Sequence, residues 1–355
     1  MRRVFVLGAG TSVHAGAPVG KDIIKKFIEL QLEGNSEGVR MVKDHPFLMN
    51  LLAVQPGNKV SSTTLIENLL SYQFPDLRDV FTYYQIANER NEPFIKGLFE
   101  ENNIFIEEIM NFVMLTIKNS IKVRTTDVCN RFVKNLTPND SIINFNYDTL
   151  IDNAIMSEYG NIDYGIDFNL PEMDEETIRE LSLNENMSDI YFNLDKSKPT
   201  PLILKPHGSF NWLYCADCYD FYLKVVERFG IQYFPNECNN CQIGLHDYIV
   251  PFSYRKNFNN PLIANIWINV VKILSKADEV YFIGYSLSDD DYTTKYFFVK
   301  GISRILKEEF PKLYLISPNA SNRKEKFESI FGEVKIIEGE NGKFQNFDLQ
   351  IIQDH

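Results

Sequence analysis

Val4-Phe5-Val6-Leu7-Gly8-Ala9-Gly10-Thr11-Ser12-Val13-His14-Ala15-Gly16-Ala17-Pro18 comes directly after Met1-Arg2-Arg3, and the reading of this stretch decides the fold. Four apolar residues without alternation suit a strand covered on both faces. The small residues after them let a backbone approach a phosphate, and the apolar spacing from Lys21 to Leu32 predicts a helix. Strand, glycine-rich turn and helix N-terminus together form nucleotide-site geometry, because unpaired amides and the helix dipole favour an anion there. The stretch is not the ordinary dinucleotide fingerprint, since Val13 stands where the third glycine belongs. Glycine-rich turns also arise for purely structural reasons, so other residues must support the reading. The same segment imitates a secretory leader, with Arg2 and Arg3 before the apolar run and Ala15-Gly16-Ala17 as a cleavage site. The run is too short, and the polar residues Thr11, Ser12 and His14 come soon after it.

Outward from this strand, the chain repeats the pattern. Continuous apolar runs at Ile142 to Phe145, Leu202 to Leu204, Val280 to Ile283, Leu313 to Ile316 and Val334 to Ile337 predict five more buried strands. Helical stretches alternate with them, at Thr149 to Glu158 and Arg323 to Phe331. The expected architecture is an α/β fold with a Rossmann-like parallel sheet of about six strands. Residues 1–34, 136–211 and 245–355 are assigned to that domain. Residues 35–135 read as a helical insertion: Thr64 and Glu67 have capping-box spacing before Leu69 and Leu70, and Ile106, Ile109, Met110, Val113 and Ile117 form one apolar stripe. The segment from about 160 to 200 is dense in acids, among them Glu172, Asp174, Glu175, Glu176, Glu180, Glu185, Asp189 and Asp195, as a solvated face would be.

With 355 residues the chain is long enough for two or three units, and 44% apolar and 13% aromatic residues exclude a mainly disordered one. Thirty-six bases against 48 acids give a net charge of −12, which opposes direct binding to nucleic acid or an anionic membrane. No apolar run approaches the roughly 18 residues of a membrane span.

The chemistry-bearing residues fall at strand ends, where open α/β sheets bind ligands. After the second strand comes Asn144-Phe145-Asn146-Tyr147-Asp148; Asp148 reads equally as a helix cap or as a ligand contact, and for Asn146 the bland reading is the weaker one. After the third comes Lys205-Pro206-His207-Gly208, and His207 stands level with Asn146 and the glycine loop. Cys215-Ala216-Asp217-Cys218 and Cys238-Asn239-Asn240-Cys241, 19 residues apart (219 to 237), predict a closed four-thiolate zinc site of structural type in a module at 212–244. Two disulfides are the rival, which an intracellular chain would not keep. Cys129 reads as a small buried hydrophobe. Gly284-Tyr285-Ser286-Leu287-Ser288 resembles a nucleophile elbow, but Ser288 replaces its last glycine and the only histidine after it is His355. Asp289, Asp290 and Asp291 read as acids opening a helix.

Taken in order, the Gly8 to Pro18 loop, Asn146-Tyr147-Asp148, His207-Gly208, the cysteine pairs, Gly284-Tyr285-Ser286-Leu287 and Ser317-Pro318-Asn319 resemble the sirtuin family. The resemblance implies NAD bound by Gly8, Ala9, Gly10, Thr11, Ser12 and Pro18. It further implies a nicotinamide pocket shaped by Asn146 and Asp148, His207 as general base, Ser286 and Asn319 on the adenosine side, Gly284 as a further cofactor-binding residue, and structural zinc on Cys215, Cys218, Cys238 and Cys241. Departures narrow it. Protein deacylases of the family usually continue the loop with Asp-Phe-Arg, carry Gln before the Asn, and have a Phe-Gly-Glu stretch after the zinc knuckles. Here those places hold Val19-Gly20-Lys21, Phe145 and Ile249-Val250-Pro251-Phe252-Ser253-Tyr254. The pattern is similar to bacterial sirtuin-like proteins of antiphage defence, which hydrolyse NAD and often work with a HerA-type DNA-translocating ATPase. The expectation is therefore a cytoplasmic NAD glycohydrolase, homo-oligomeric, with such a partner. An NAD-dependent deacylase and a non-catalytic NAD-binding subunit remain the alternatives.

Overall fold

A computed structural model describes residues 1–32, 76–92, 102–123, 125–169, 194–224, 226–228, 231–233, 236–251, 261–288, 291–303 and 310–349. The capping box at Thr64, the acids from Glu172 to Asp189, Asp289, Asp290, the run from Phe252 to Tyr254, His355 and the side chain of Ile106 lie outside the described residues. Two compact units are present. One comprises Met1–His14, Val123–Val250 and Asn257–His355, the other Ala15–Lys122 and Pro251–Lys256.

The first unit is built on six parallel strands: β1 (Arg3–Leu7), β2 (Ser141–Asn144), β3 (Leu202–Leu204), β9 (Glu279–Ile283), β10 (Lys312–Ile316) and β11 (Lys335–Ile337). Their order is β11-β10-β9-β1-β2-β3. All six expected strands are present within a residue or so of their expected ends. This is the doubly wound order, and the direction of winding reverses between β1 and β9, the place where such sheets leave a crevice at their carboxyl ends. Val4 to Leu7, Ile142, Ile143 and Val280 to Ile283 are buried, as two covered faces require. An aromatic ladder crosses the middle. Phe5 stacks on Tyr281 with ring centroids 5.0 Å apart, and Tyr281 on Tyr314 at 4.7 Å, each pair directly opposite in register.

Helices α4 (Asp127–Lys134), α5 (Leu150–Tyr159), α6 (Pro261–Leu274), α7 (Tyr292–Ile302) and α8 (Ser321–Phe331) accompany the sheet. Asp291 accepts from the Thr294 amide at 3.1 Å, so the expected acid at the start of α7 is an N-cap. Beyond β3, β4 (Gly208–Tyr214), β5 (Phe221–Leu223) and β8 (His246–Ile249) form a three-stranded antiparallel sheet. A short ribbon of β6 (Val226–Arg228) and β7 (Ile231–Tyr233) lies between β5 and β8 in sequence.

The second unit is helical: α1 (Ile23–Leu32), α2 (Leu77–Glu89) and α3 (Asn102–Ser120). Ile109, Met110, Val113 and Ile117 of the expected stripe are buried, and Phe112 lies against Phe27 with ring centroids 4.3 Å apart. Among the described residues no helix is long and apolar enough to cross a membrane.

Candidate functional site

The glycine-rich loop differs in detail from a turn leading straight into a helix. After β1 it makes two single 3-10 turns, Ala9–Thr11 and Val13–Ala15, and α1 begins only at Ile23. The Thr11 and Ser12 amides close back on the Gly8 and Ala9 carbonyls at 2.9 and 3.1 Å. The Gly8 and Gly10 amides donate to Ile283 and Gly284 at the end of β9, each at 3.1 Å. Of the five amides from Gly8 to Ser12, only that of exposed Ala9 has no such bond. The glycines are needed for this crossing. A Cβ on Gly8 would lie 2.7 Å from the Gly284 carbonyl oxygen, and one on Gly10 2.8 Å from the Gly284 Cα.

Asn146 and Asp148 lie in a buried turn after β2. The Asn146 amide donates to its neighbour Asn144 Oδ1 at 3.0 Å, and its side-chain nitrogen donates to Thr11 Oγ1 and Ser12 Oγ, both at 2.9 Å. Ser12 Oγ donates in turn to Asp148 Oδ2 at 2.7 Å, while Asp148 Oδ1 accepts from the Leu150 amide at 3.2 Å. The capping reading of Asp148 is thus met by one oxygen while the other serves the loop. Burial pushes the Asp148 carboxyl above its ordinary value; Lys205, the Ser12 hydroxyl and the Leu150 amide pull it down, and Asp152 adds to the rise.

His207 is half-buried in the turn from β3 to β4. Its carbonyl accepts from the Val250 amide at 2.9 Å, and the next residue pairs with Ile249 across the antiparallel sheet. Gly208 holds φ +80°, and a Cβ there would meet the Tyr248 oxygen at 2.2 Å, so no other residue fits. The β2 and β3 turns are tied together. The Phe210 amide donates to the Tyr147 carbonyl at 2.9 Å, and the Tyr147 hydroxyl to the Val250 carbonyl at 2.7 Å. The Phe145 ring meets the His207 ring edge-on at 4.8 Å and stacks on Tyr285 at the same distance. An aromatic wall therefore stands where the deacylases of the resemblance carry an amide.

Gly284 bears on Gly10, whereas Ser286 and Asn319 stand exposed at the ends of β9 and β10. Beside Ser286, Leu287 holds φ +48° with a fully buried side chain, a strained conformation for a leucine. Pro18 belongs to the helical unit.

The four cysteine sulphurs of Cys215, Cys218, Cys238 and Cys241 lie within 4.8 Å of one another. Tetrahedral zinc at about 2.3 Å from each thiolate sets sulphurs about 3.8 Å apart, so the donor set and its spacing fit that ion. The Tyr222 hydroxyl donates to Cys238 Sγ at 3.3 Å and itself accepts the Asn239 amide at 2.9 Å. That bond, more than any other group, draws the Cys238 thiol down to about 6, toward the thiolate that binds metal. Cys129 is buried and its thiol is pushed up to about 11, in keeping with an inert core residue.

The model of the SIR2-like domain matches residues 140–336, more than half of the chain. This chain belongs to the SIR2-like domain family. That family binds NAD, and the residues matched span β2 to β11, including the Asn146 turn, His207 and the cysteine cluster. Among solved structures, a mutant Sir2 homologue in complex with ADP-ribose is 12% identical, the match covering 99% of this chain and 92% of that chain at a TM-score of 0.42. A Sir2 homologue–NAD complex is 13% identical, with 99% and 90% covered and a TM-score of 0.39. No curated protein matches.

The SIR2-like chain also carries site residues that sequence reasoning missed. Lys205 and Asp152 form a fully buried ion pair at 3.2 Å, and Lys205 Nζ donates to the Asp148 carbonyl at 2.7 Å. Tyr164 donates to Asp152 Oδ1 at 2.7 Å and accepts from Asn211 Nδ2 at 3.2 Å. The signal was available: a lysine directly after an apolar strand end, two residues before His207, with Asp152 one helical turn beyond Asp148.

Proposed function

We propose that this SIR2-like protein is an NAD glycohydrolase that cleaves the nicotinamide–ribose bond to give nicotinamide and ADP-ribose. One observation carries the reading: the Asn146 carboxamide is bound by both of its N–H groups to the glycine-rich loop, so the candidate catalytic amide and the candidate phosphate loop are one unit at the carboxyl ends of the strands. With the nitrogen so engaged, the carboxamide oxygen is the pole available to a water and to ribose hydroxyls. The bond from C1′ to the pyridinium nitrogen breaks with its electron pair going to the ring, which leaves neutral and needs no general acid. The water oxygen bonds to C1′ and gives its proton to His207, a general base worth about 10²- to 10⁴-fold. The Ala9 amide is the loop donor nearest to hand for the pyrophosphate; Gly284, Ser286 and Asn319 take the adenosine side. Cys215, Cys218, Cys238 and Cys241 would hold zinc, which would supply a structural cross-link and no open position for chemistry.

By resemblance the setting is cytoplasmic antiphage defence by NAD depletion, as a homo-oligomer with a HerA-type ATPase; co-purification of such a motor, or its lack, tests that part. A second reading, a non-catalytic NAD-binding subunit, is favoured by the four loop amides already bonded within the protein. The experiment is NAD loss and ADP-ribose formation by the purified protein, alone and with its partner. Folded Asn146→Ala and His207→Ala variants are expected to lose at least about 10²-fold. Full activity in both, or tight NAD binding with no turnover under any condition, rejects the glycohydrolase assignment.

A further inference from the structure

Lys205 is fully buried immediately after β3, and Asp152, its partner on α5, is as buried as itself. An ion pair of this kind gives little net stability, because desolvating two charges offsets most of their attraction. Its place in the fold points to another use. Thr11 Oγ1 donates to the Gly8 carbonyl at 2.8 Å and Ser12 Oγ donates to Asp148 Oδ2 at 2.7 Å. A hydroxyl has one proton, so each of these can only accept from Asn146, and the amide must turn its nitrogen to the loop. The direction of the chain Asn146–Ser12–Asp148 depends on Asp148 being an acceptor. A protonated Asp148 would donate to Ser12 and turn the Ser12 proton toward Asn146, leaving Thr11 alone to hold the amide nitrogen to the loop.

We propose that Lys205 is a positioning residue of this site: seated on the Asp148 carbonyl and balanced by Asp152, it holds Asp148 as a carboxylate acceptor, so that Ser12 joins Thr11 in accepting from the Asn146 nitrogen and the Asn146 oxygen is left as the pole offered to a ligand. What that oxygen then does rests on the glycohydrolase reading; the clamp itself does not. The charged and titratable groups around Asp148 are Lys205 after β3, Asp152 on α5, His14 in the loop after β1 and Cys129 on α4. Of these, Lys205 acts most strongly against burial in keeping the carboxyl ionised.

The test uses the full chain labelled with carbon-13 at aspartate carboxyls, the Asp148 signal being assigned with Asp148→Asn. Asp152→Asn keeps the Lys205 charge and removes its counter-charge; Lys205→Met with Asp152→Asn removes both without stranding a buried carboxylate. Asp148 is expected to titrate lower in Asp152→Asn than in the unaltered protein, and at least about one pH unit higher in the double variant than in Asp152→Asn. The acid limb of the kcat profile for NAD cleavage should move with it. Identical Asp148 titration in the two variants, with native circular dichroism, overturns the proposal. Should the double variant not fold, Asp152→Asn decides alone, and an unmoved Asp148 overturns it. A protein that never cleaves NAD rejects the glycohydrolase reading and leaves the titration result standing.

Discussion

The Tyr222 hydroxyl bridges a sulphur and an amide, and a single oxygen atom distinguishes this residue from phenylalanine. Tyr222→Phe should keep the ring packed while the Cys238 thiolate loses its donor, lowering zinc affinity by about 10- to 100-fold, as removal of a partner behind a ligand does. Competition with a chromophoric chelator measures it, and unchanged affinity refutes the role. Asp148 makes a second claim at this scale. A carboxyl raised by folding contributes stability below its ordinary pKa and loses it as pH rises through the raised value. The stability of Asp148→Asn relative to the unaltered protein should therefore increase with pH across that window and level off above it. Denaturant melts at a series of pH values check the sign, and a difference that falls with pH contradicts the burial argument.

Between elements, the joint that matters lies where the β1 loop crosses the end of β9. Gly284 has φ +57°, and a Cβ on it would lie 2.8 Å from the Gly10 Cα and the Thr11 nitrogen, backbone atoms that cannot turn aside. Gly284→Ala combines left-handed strain with overpacking and should destabilise by about 2 to 4 kcal/mol, while Gly20→Ala, with open space around it, stays within about 0.5 kcal/mol. Equal melting temperatures for the two would show that the crossing is slack. This joint also marks what the sequence could convey. Strands β1, β2, β3, β9, β10 and β11 were legible because burial on both faces leaves an unbroken apolar run, and the C-x-x-C pairs because zinc demands four sulphurs. The role of Gly8 and Gly10 was not legible: a phosphate and a crossing backbone require the same missing Cβ, and the Gly284 contact is nearly three hundred residues away in sequence. Asn146 and His207 could be picked as polar residues at strand ends, but Lys205 looked like the polar end of β3 until Asp152 came opposite it. The start of α1 two residues past the expected Lys21 was hidden for a local reason: Lys21 and Asp22 close a 3-10 turn with Gly20 before the helix begins at Ile23.

Across the first unit, the cysteine cluster and the strand-tip site are linked through one short path. Cys215 comes directly after β4, β4 begins at Gly208, and β8 returns from the second cysteine pair to deliver the Val250 amide to the His207 carbonyl and the Val250 carbonyl to Tyr147. Leu213, Cys215, Tyr222 and Cys238 share one small core, with Cys218, Cys241 and Leu245 packed on it. That core covers only the cysteine face, while Trp212 and Phe221, successive to Leu213 and Tyr222, pack with Phe168 and Tyr164 on the other; an ion on the four cysteines would cross-link the face with the least apolar surface, whereas the parallel sheet has its own core. Metal removal should therefore loosen β4, β5 and β8 and leave the six-stranded sheet folded. The chain carries its own reporters, for its two tryptophans are divided between the parts: Trp212 is buried on β4 and Trp267 on α6. In Trp267→Phe, zinc chelation should shift Trp212 emission to the red as water reaches it, with recovery on adding zinc; in Trp212→Phe, Trp267 emission should hold still. Because His207 is anchored through β4 and β8, the NAD cleavage proposed for this site should fall with the Trp212 signal and return with it. A Trp212 spectrum indifferent to chelation, in protein shown by metal analysis to have lost its zinc, would mean that the antiparallel sheet stands without the ion and that His207 is held by the parallel sheet alone.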